Sequence, residues 1–128
     1  MIERIYHVSF GTKMRRGILV GEIDDDVRRL VRENALRARV RLLEVETAVD
    51  HVHLIVGVPE DRTLSSAMHQ IKGATSHAVF VKYPELKLDM REGAFWQKSY
   101  TFRRLEPGDI PAARRYVRTQ QSRPLRHE

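Results

Sequence analysis

The chain has 128 residues with 23 lysines and arginines against 17 aspartates and glutamates, a net charge of +6, and no cysteine. That length suits one domain with a real core, so a single domain over residues 1–128 is expected. The missing thiols exclude disulfides, cysteine nucleophiles and thiolate-bound zinc, while the basic balance points to a polyanionic partner, nucleic acid first. The first residues, Met1-Ile2-Glu3-Arg4, are no signal peptide, and no segment approaches the roughly 20 apolar residues of a membrane span, so a soluble, cytoplasmic protein is expected.

Ile5 to Thr12 alternates and is rich in β-formers, which predicts a first strand, followed by a basic loop carrying Lys13, Arg15 and Arg16 between Gly11 and Gly17. From Asp24 to Ala38 the apolar positions Val27, Leu30, Val31, Ala35 and Ala38 recur at helical spacing, with aspartates at the start and arginines at the end to complement the dipole. Arg41 to Val49 reads as a second strand, with Leu43, Val45 and Thr47 opposing Leu42, Glu44 and Glu46. A third begins after Asp50 and ends at Pro59. Thr63 can cap a helix running to Lys82 with Leu64, Ala67, Met68, Ile71, Thr75 and Ala78 inward. Phe95 to Phe102 is expected to be a strand, and Pro107-Gly108-Asp109 a turn into a last helix from Ile110 to Ser122. The order β-α-β-β-α-β-α predicts an α+β, ferredoxin-like (RRM-like) antiparallel sheet with helices on one face and an added C-terminal helix. The other sheet face is expected to be free for a partner.

The third strand carries the most informative residues, Asp50-His51-Val52-His53-Leu54-Ile55-Val56. Alternation puts Val52, Leu54, Val56 and Val58 on one face and His51 with His53 on the other, about 7 Å apart along the strand. Two imidazoles make two-thirds of a facial metal site, and a third ligand with an open position is still needed; alone, the pair also fits plain polar surface. On the last helix Tyr116 and Gln120 lie four residues apart on one face, flanked by Arg114, Arg115 and Arg118, while Ile110, Ala113 and Val117 are its core positions. Together these suggest a nucleophile, a third metal ligand and phosphate clamps.

These motifs resemble the single-tyrosine HUH transposases of small bacterial insertion sequences. In that family an Asp precedes a His-hydrophobic-His strand, and a C-terminal helix bears tyrosine followed by glutamine four residues on. Thr12-Lys13-Met14-Arg15-Arg16, Ile71-Lys72-Gly73-Ala74-Thr75-Ser76 and Phe95-Trp96-Gln97-Lys98-Ser99-Tyr100 resemble further family segments in the same order, whereas Thr101-Phe102-Arg103-Arg104-Leu105 lacks the glycine that members often carry.

The resemblance implies that Tyr116 attacks a phosphodiester to form a 5′-phosphotyrosine, that His51, His53 and Gln120 hold Mg2+ or Mn2+, and that the substrate is single-stranded DNA folded into hairpins at element ends. It also implies homodimers in which one subunit's tyrosine helix completes the other's histidine site. Ligand softness alone favours zinc, manganese or cobalt. For the general base, a metal-bound water and His7 stay open. Lys13, Arg15, Arg16 and Lys72 are candidate DNA contacts, with Tyr100 a stacking platform and Trp96 better read as core. Competing readings are a HUH nickase, a domesticated palindrome-binding tyrosine transposase, a zinc hydrolase using water, and a noncatalytic single-stranded nucleic-acid module, although the RRM aromatic signature is absent.

Overall fold

A computed structural model describes residues 2–89 and 94–120. Four antiparallel strands, β1 (Glu3–Gly11), β2 (Arg41–Ala48), β3 (His51–Pro59) and β4 (Thr101–Leu105), form one sheet in the order β2-β3-β1-β4. Helices α1 (Gly21–Arg37), α2 (Leu64–Lys82), α3 (Pro84–Asp89) and α4 (Ile110–Gln120) complete the expected α+β arrangement. The strand order with two βα crossovers is the ferredoxin-like topology.

The period of two in each strand decides where the core forms. Tyr6, Val8 and Phe10 of β1 stand opposite Val56, Leu54 and Val52 of β3, and all six are buried against Val27, Val31 and Ala35 of α1 and Ala67, Met68 and Ile71 of α2. Thr63 caps α2 as expected, its hydroxyl accepting from the Ser66 amide at 3.1 Å; Val79, rather than the half-buried Ala78, closes the buried face of that helix. Asp26 on α1 joins the two long helices. It accepts from Tyr83 Oη at 2.5 Å, Lys82 Nζ at 2.8 Å and Arg29 at 3.3 Å. Those hydrogen bonds, Lys82 first, hold its carboxyl down at about 2.

Three expectations need correction. Phe95 to Phe102 is not a strand: Phe95 and Trp96 are buried in a connection that makes one bridge, Thr12 to Trp96, and the fourth strand lies further on, at Thr101–Leu105. The aromatic rings there serve the core, Trp96 packing edge-on to Phe10 at 4.8 Å, while the true strand is a polar edge paired only with β1. Second, the simple alternation of β2 breaks at a bulge between Leu42 and Glu44. Leu42 packs with Val45 on the main core, and Leu43 is turned to the opposite face. Third, that opposite face is not free. Helix α4 covers part of it, Ala113 and Val117 packing with Ile5, Ile55 and Leu105 in a second, smaller core beside half-buried Ile110 and Leu43. The expected inward positions of the last helix are therefore right. Its extension to Ser122 lies outside the described residues.

Candidate active site

Sheet register brings the chemistry together. On the face that α4 covers, His51 stands opposite Gly11, His53 opposite Ser9, and Ile55 opposite His7, so three imidazoles share one patch. His51 and His53 are each only 8% exposed. Helix α4 runs over this patch and carries Tyr116 to it. The Tyr116 ring lies 6.2 Å from that of His53 and 5.9 Å from that of His7, edge-on to both, and remains half exposed along a cavity of about 580 Å³ lined also by Arg103, Asp109 and Ala112.

The imidazoles are wired in series. Asp50 Oδ1 accepts from His51 Nδ1 at 2.8 Å; His51 Nε2 faces His53 Nε2 at 3.1 Å; His53 Nδ1 faces His7 Nε2 at 3.1 Å. Burial, with His51 and His7 as neighbours, pushes His53 down to about 3, so it is neutral at physiological pH. Burial and the Arg103 guanidinium lower His7 as well. For Asp50, burial acts to raise the carboxyl, but hydrogen bonds from His51 and Arg15 outweigh it and keep it anionic. A neutral His53 and an anionic Asp50 are protonation states a cation can use.

The donor set fits a divalent ion in one respect that can be measured. Two nitrogens bound side by side on an ion at about 2.1 Å stand about 3 Å apart, and the Nε2 atoms of His51 and His53 are 3.1 Å apart. Among the described residues no group of three His, Cys, Asp or Glu side chains is arranged to hold an ion. Gln120 ends α4 one turn beyond Tyr116; its side chain lies outside the described residues.

The expected DNA contacts divide. The loop after β1 turns through left-handed backbone at Met14 and Arg15, φ 59° and 54°, and Thr12 ties it by donating to the Arg16 carbonyl at 2.7 Å. This turn returns Arg15 to Asp50 at 3.2 Å, with Arg15 still half exposed; Arg16 is exposed and Lys13 half-buried. The Lys72 ammonium instead donates to the carbonyls of Gln97, Lys98 and Ser99 at 2.7, 3.3 and 3.2 Å and lies 5.9 Å from the half-buried Tyr100 ring. Of the arginines flanking Tyr116, Arg114 and Arg118 both bind Glu44, at 2.9 and 2.6 Å. Burial works to raise Glu44, but the two guanidiniums outweigh it and lower its carboxyl. Sequence reasoning missed Glu44 as the anchor of α4 and His7 as the partner of His53. The period of β1 puts His7 on the outer face, but only register reveals its neighbour.

Residues 2–120 match the family described as Transposase IS200 like. Over 115 residues the chain is 28% identical to the ISDra2 transposase TnpA of Deinococcus radiodurans, covering 90% of this chain and 82% of that protein. It is 33% identical over 95 residues to the transposase for insertion sequence element IS200 of Salmonella typhimurium; that match takes in 74% of this chain but 62%, less than two thirds, of the relative. A crystal structure from Deinococcus radiodurans, described as a candidate transposase, superposes with a TM-score of 0.77 at 26% identity, covering 94% of this chain and 93% of that one. A REP-associated tyrosine transposase bound to a REP hairpin shares the fold, with a TM-score of 0.70 at 16% identity, over 93% of this chain and 67% of that one.

Proposed function

Because this chain belongs to the IS200-like transposase family, we propose that it cleaves and rejoins single-stranded DNA at hairpin-bearing element ends through a covalent link to Tyr116. The observation that carries the reading is the position of the Tyr116 ring, 6.2 Å from the ring of His53, which is buried beside His51 with their Nε2 atoms 3.1 Å apart. A phenol beside such a pair suits attack on phosphorus.

In the proposed step the Tyr116 oxygen attacks the scissile phosphorus and its proton leaves. The bond from phosphorus to the 3′-oxygen breaks, that oxygen takes up a proton, and the 5′-phosphate stays on the tyrosine. Reversal by a 3′-hydroxyl from another strand end rejoins the DNA. The phosphotyrosine conserves the bond, so no nucleotide hydrolysis is needed. His51 and His53, with the Gln120 carboxamide as third donor, would hold Mg2+ or Mn2+; when bound, the ion withdraws charge from a nonbridging phosphate oxygen. Burial under α4 limits water at the histidines, which favours transfer over hydrolysis.

DNA binding is assigned to the basic loop, with Lys13, Arg15 and Arg16 meeting phosphates. Lys72, its ammonium shared among three carbonyls, adds positive field and fixes the 97–99 segment. The substrate class is supported by the +6 charge and by the fold relative described with a bound REP hairpin. We also assign a homodimer in which α4 can serve the histidines of either copy, since its seat is a small core joined to the sheet through the short Glu106–Asp109 turn.

The test is a denaturing gel of labelled hairpin DNA incubated with the protein and Mn2+. A covalent protein–DNA band that disappears in Tyr116→Phe is expected. Cleavage with no adduct would make the protein a hydrolase, and binding without either would make it a recognition module.

A further inference from the structure

His7 is the one imidazole of the patch with no assigned task. Register fixes it: on β1 it stands opposite Ile55 of β3 and Arg103 of β4, so its ring rises on the same face as His51 and His53. Its Nε2 lies 3.1 Å from His53 Nδ1, with the two rings 5.3 Å apart and tilted by 31°. On its other side it meets the edge of Tyr116.

The pattern around the two expected ligands is symmetrical. Each presents Nε2 toward one shared point, and each has Nδ1 backed by a different group, Asp50 behind His51 and His7 behind His53. A neutral imidazole carries one proton, and the partner of one nitrogen decides which nitrogen holds it. A cation held by both Nε2 atoms needs a bare lone pair on each, so the single proton of each ring must sit on Nδ1. On His51 the acceptor for that proton is Asp50 Oδ1, at 2.8 Å. On His53, at 8% exposure, an Nδ1–H without an acceptor would be costly.

We propose that His7 is a positioning residue for His53: its Nε2 accepts the Nδ1–H of His53 and so holds a bare Nε2 lone pair toward a divalent cation. It does for His53 what Asp50 does for His51, with an uncharged acceptor, its own proton sitting on Nδ1. This rests on the assignment of His51 and His53 as the metal pair and extends it by one residue.

The experiment is calorimetric titration of the full chain with MnCl2, for wild type, His7→Leu, His7→Gln and His53→Ala. His7→Leu keeps bulk but offers no acceptor, and a loss of 10- to 100-fold in Mn2+ affinity is expected. His7→Gln, whose carboxamide oxygen can accept near the lost Nε2, should recover most of it. If His7→Leu binds Mn2+ like wild type while His53→Ala does not, the proposal for His7 is wrong and the metal pair stands. If His53→Ala binds like wild type, the metal pair itself is wrong. Loss in His7→Leu with no recovery in His7→Gln means packing rather than hydrogen bonding, and overturns the proposal too. Two-bond proton–nitrogen correlation spectra of Mg2+-loaded wild type need no variant: His53 should carry its proton on Nδ1, and a proton on Nε2 overturns the assignment.

Discussion

Helix α4 should leave the sheet more readily than anything else in the fold, and that can be forced. It is seated by Val117, which is fully buried, by Ala113 and half-buried Ile110, and by Glu44 holding Arg114 and Arg118. Val117→Ala removes two methyl groups at about 0.8 kcal/mol each plus a small cavity, about 2 kcal/mol in all. Better helix propensity of alanine returns about 0.5 kcal/mol. Glu44→Gln weakens two ion pairs whose arginine side chains are 39% and 55% exposed, so solvent screening limits the loss to about 1 kcal/mol for both. The double variant should lose about 2.5 kcal/mol of docking, roughly a 70-fold change in the docked-to-undocked ratio. The main core lies on the other side of the sheet and is untouched. Hydrogen exchange followed by mass spectrometry or NMR should find α4 amides exchanging tens of times faster while β1 and β3 keep their protection. Equal acceleration in α4 and β3, or less than about fivefold in α4, would refute the view that the tyrosine helix is a separately released unit.

Asp50→Asn should weaken Mn2+ binding by about 10-fold or more without unfolding the chain, because the carboxylate that orients His51 and receives Arg15 is gone; metal titration with circular dichroism checks both halves. Asp26 has a folded value of about 2, below its ordinary 3.8, so its stabilisation is complete above about pH 4 and is lost as pH falls toward 2. Melting curves of Asp26→Asn between pH 2 and 6 should therefore show a flatter acid limb than wild type, and an identical limb would rule out that clamp. Thr63→Ala removes the hydroxyl that accepts from the Ser66 amide and should cost about 1 kcal/mol in urea denaturation.

Strict alternation made β3 readable, because a strand in the middle of the sheet has to put Val52, Leu54, Val56 and Val58 on one side. The same logic failed where geometry departs from the ideal. One extra residue at Leu43 reverses the faces of β2, and nothing in Leu42-Leu43-Glu44 announces a bulge. Composition misplaces the fourth strand because it does not report pairing: β-forming aromatics at 95 and 96 fill the core from a connection, whereas Thr101–Leu105 is an edge strand that tolerates Arg103 and Arg104. Helix α3 has six residues, too few for a periodic signal. At the site, His51, His53 and Tyr116 were legible from spacing within single elements. The partners Glu44, His7 and Arg15 were not, since each depends on how two separate elements are laid side by side.

The corner after β1 bears on how this protein would meet DNA. Met14 and Arg15, neither of them glycine, sit back to back in a conformation that costs side-chain-bearing residues about 1 kcal/mol each. Folding has already absorbed that expense, so an arriving strand would find a stiff corner whose Arg15 guanidinium is held by Asp50. Any grip it has on DNA would then be coupled to the histidines, since the cation that would greet a phosphate is the one steadying the carboxylate behind His51. Drawing Arg15 toward the backbone of a bound strand would loosen that carboxylate, so occupancy of the loop and readiness of the proposed metal pair would be two ends of one lever.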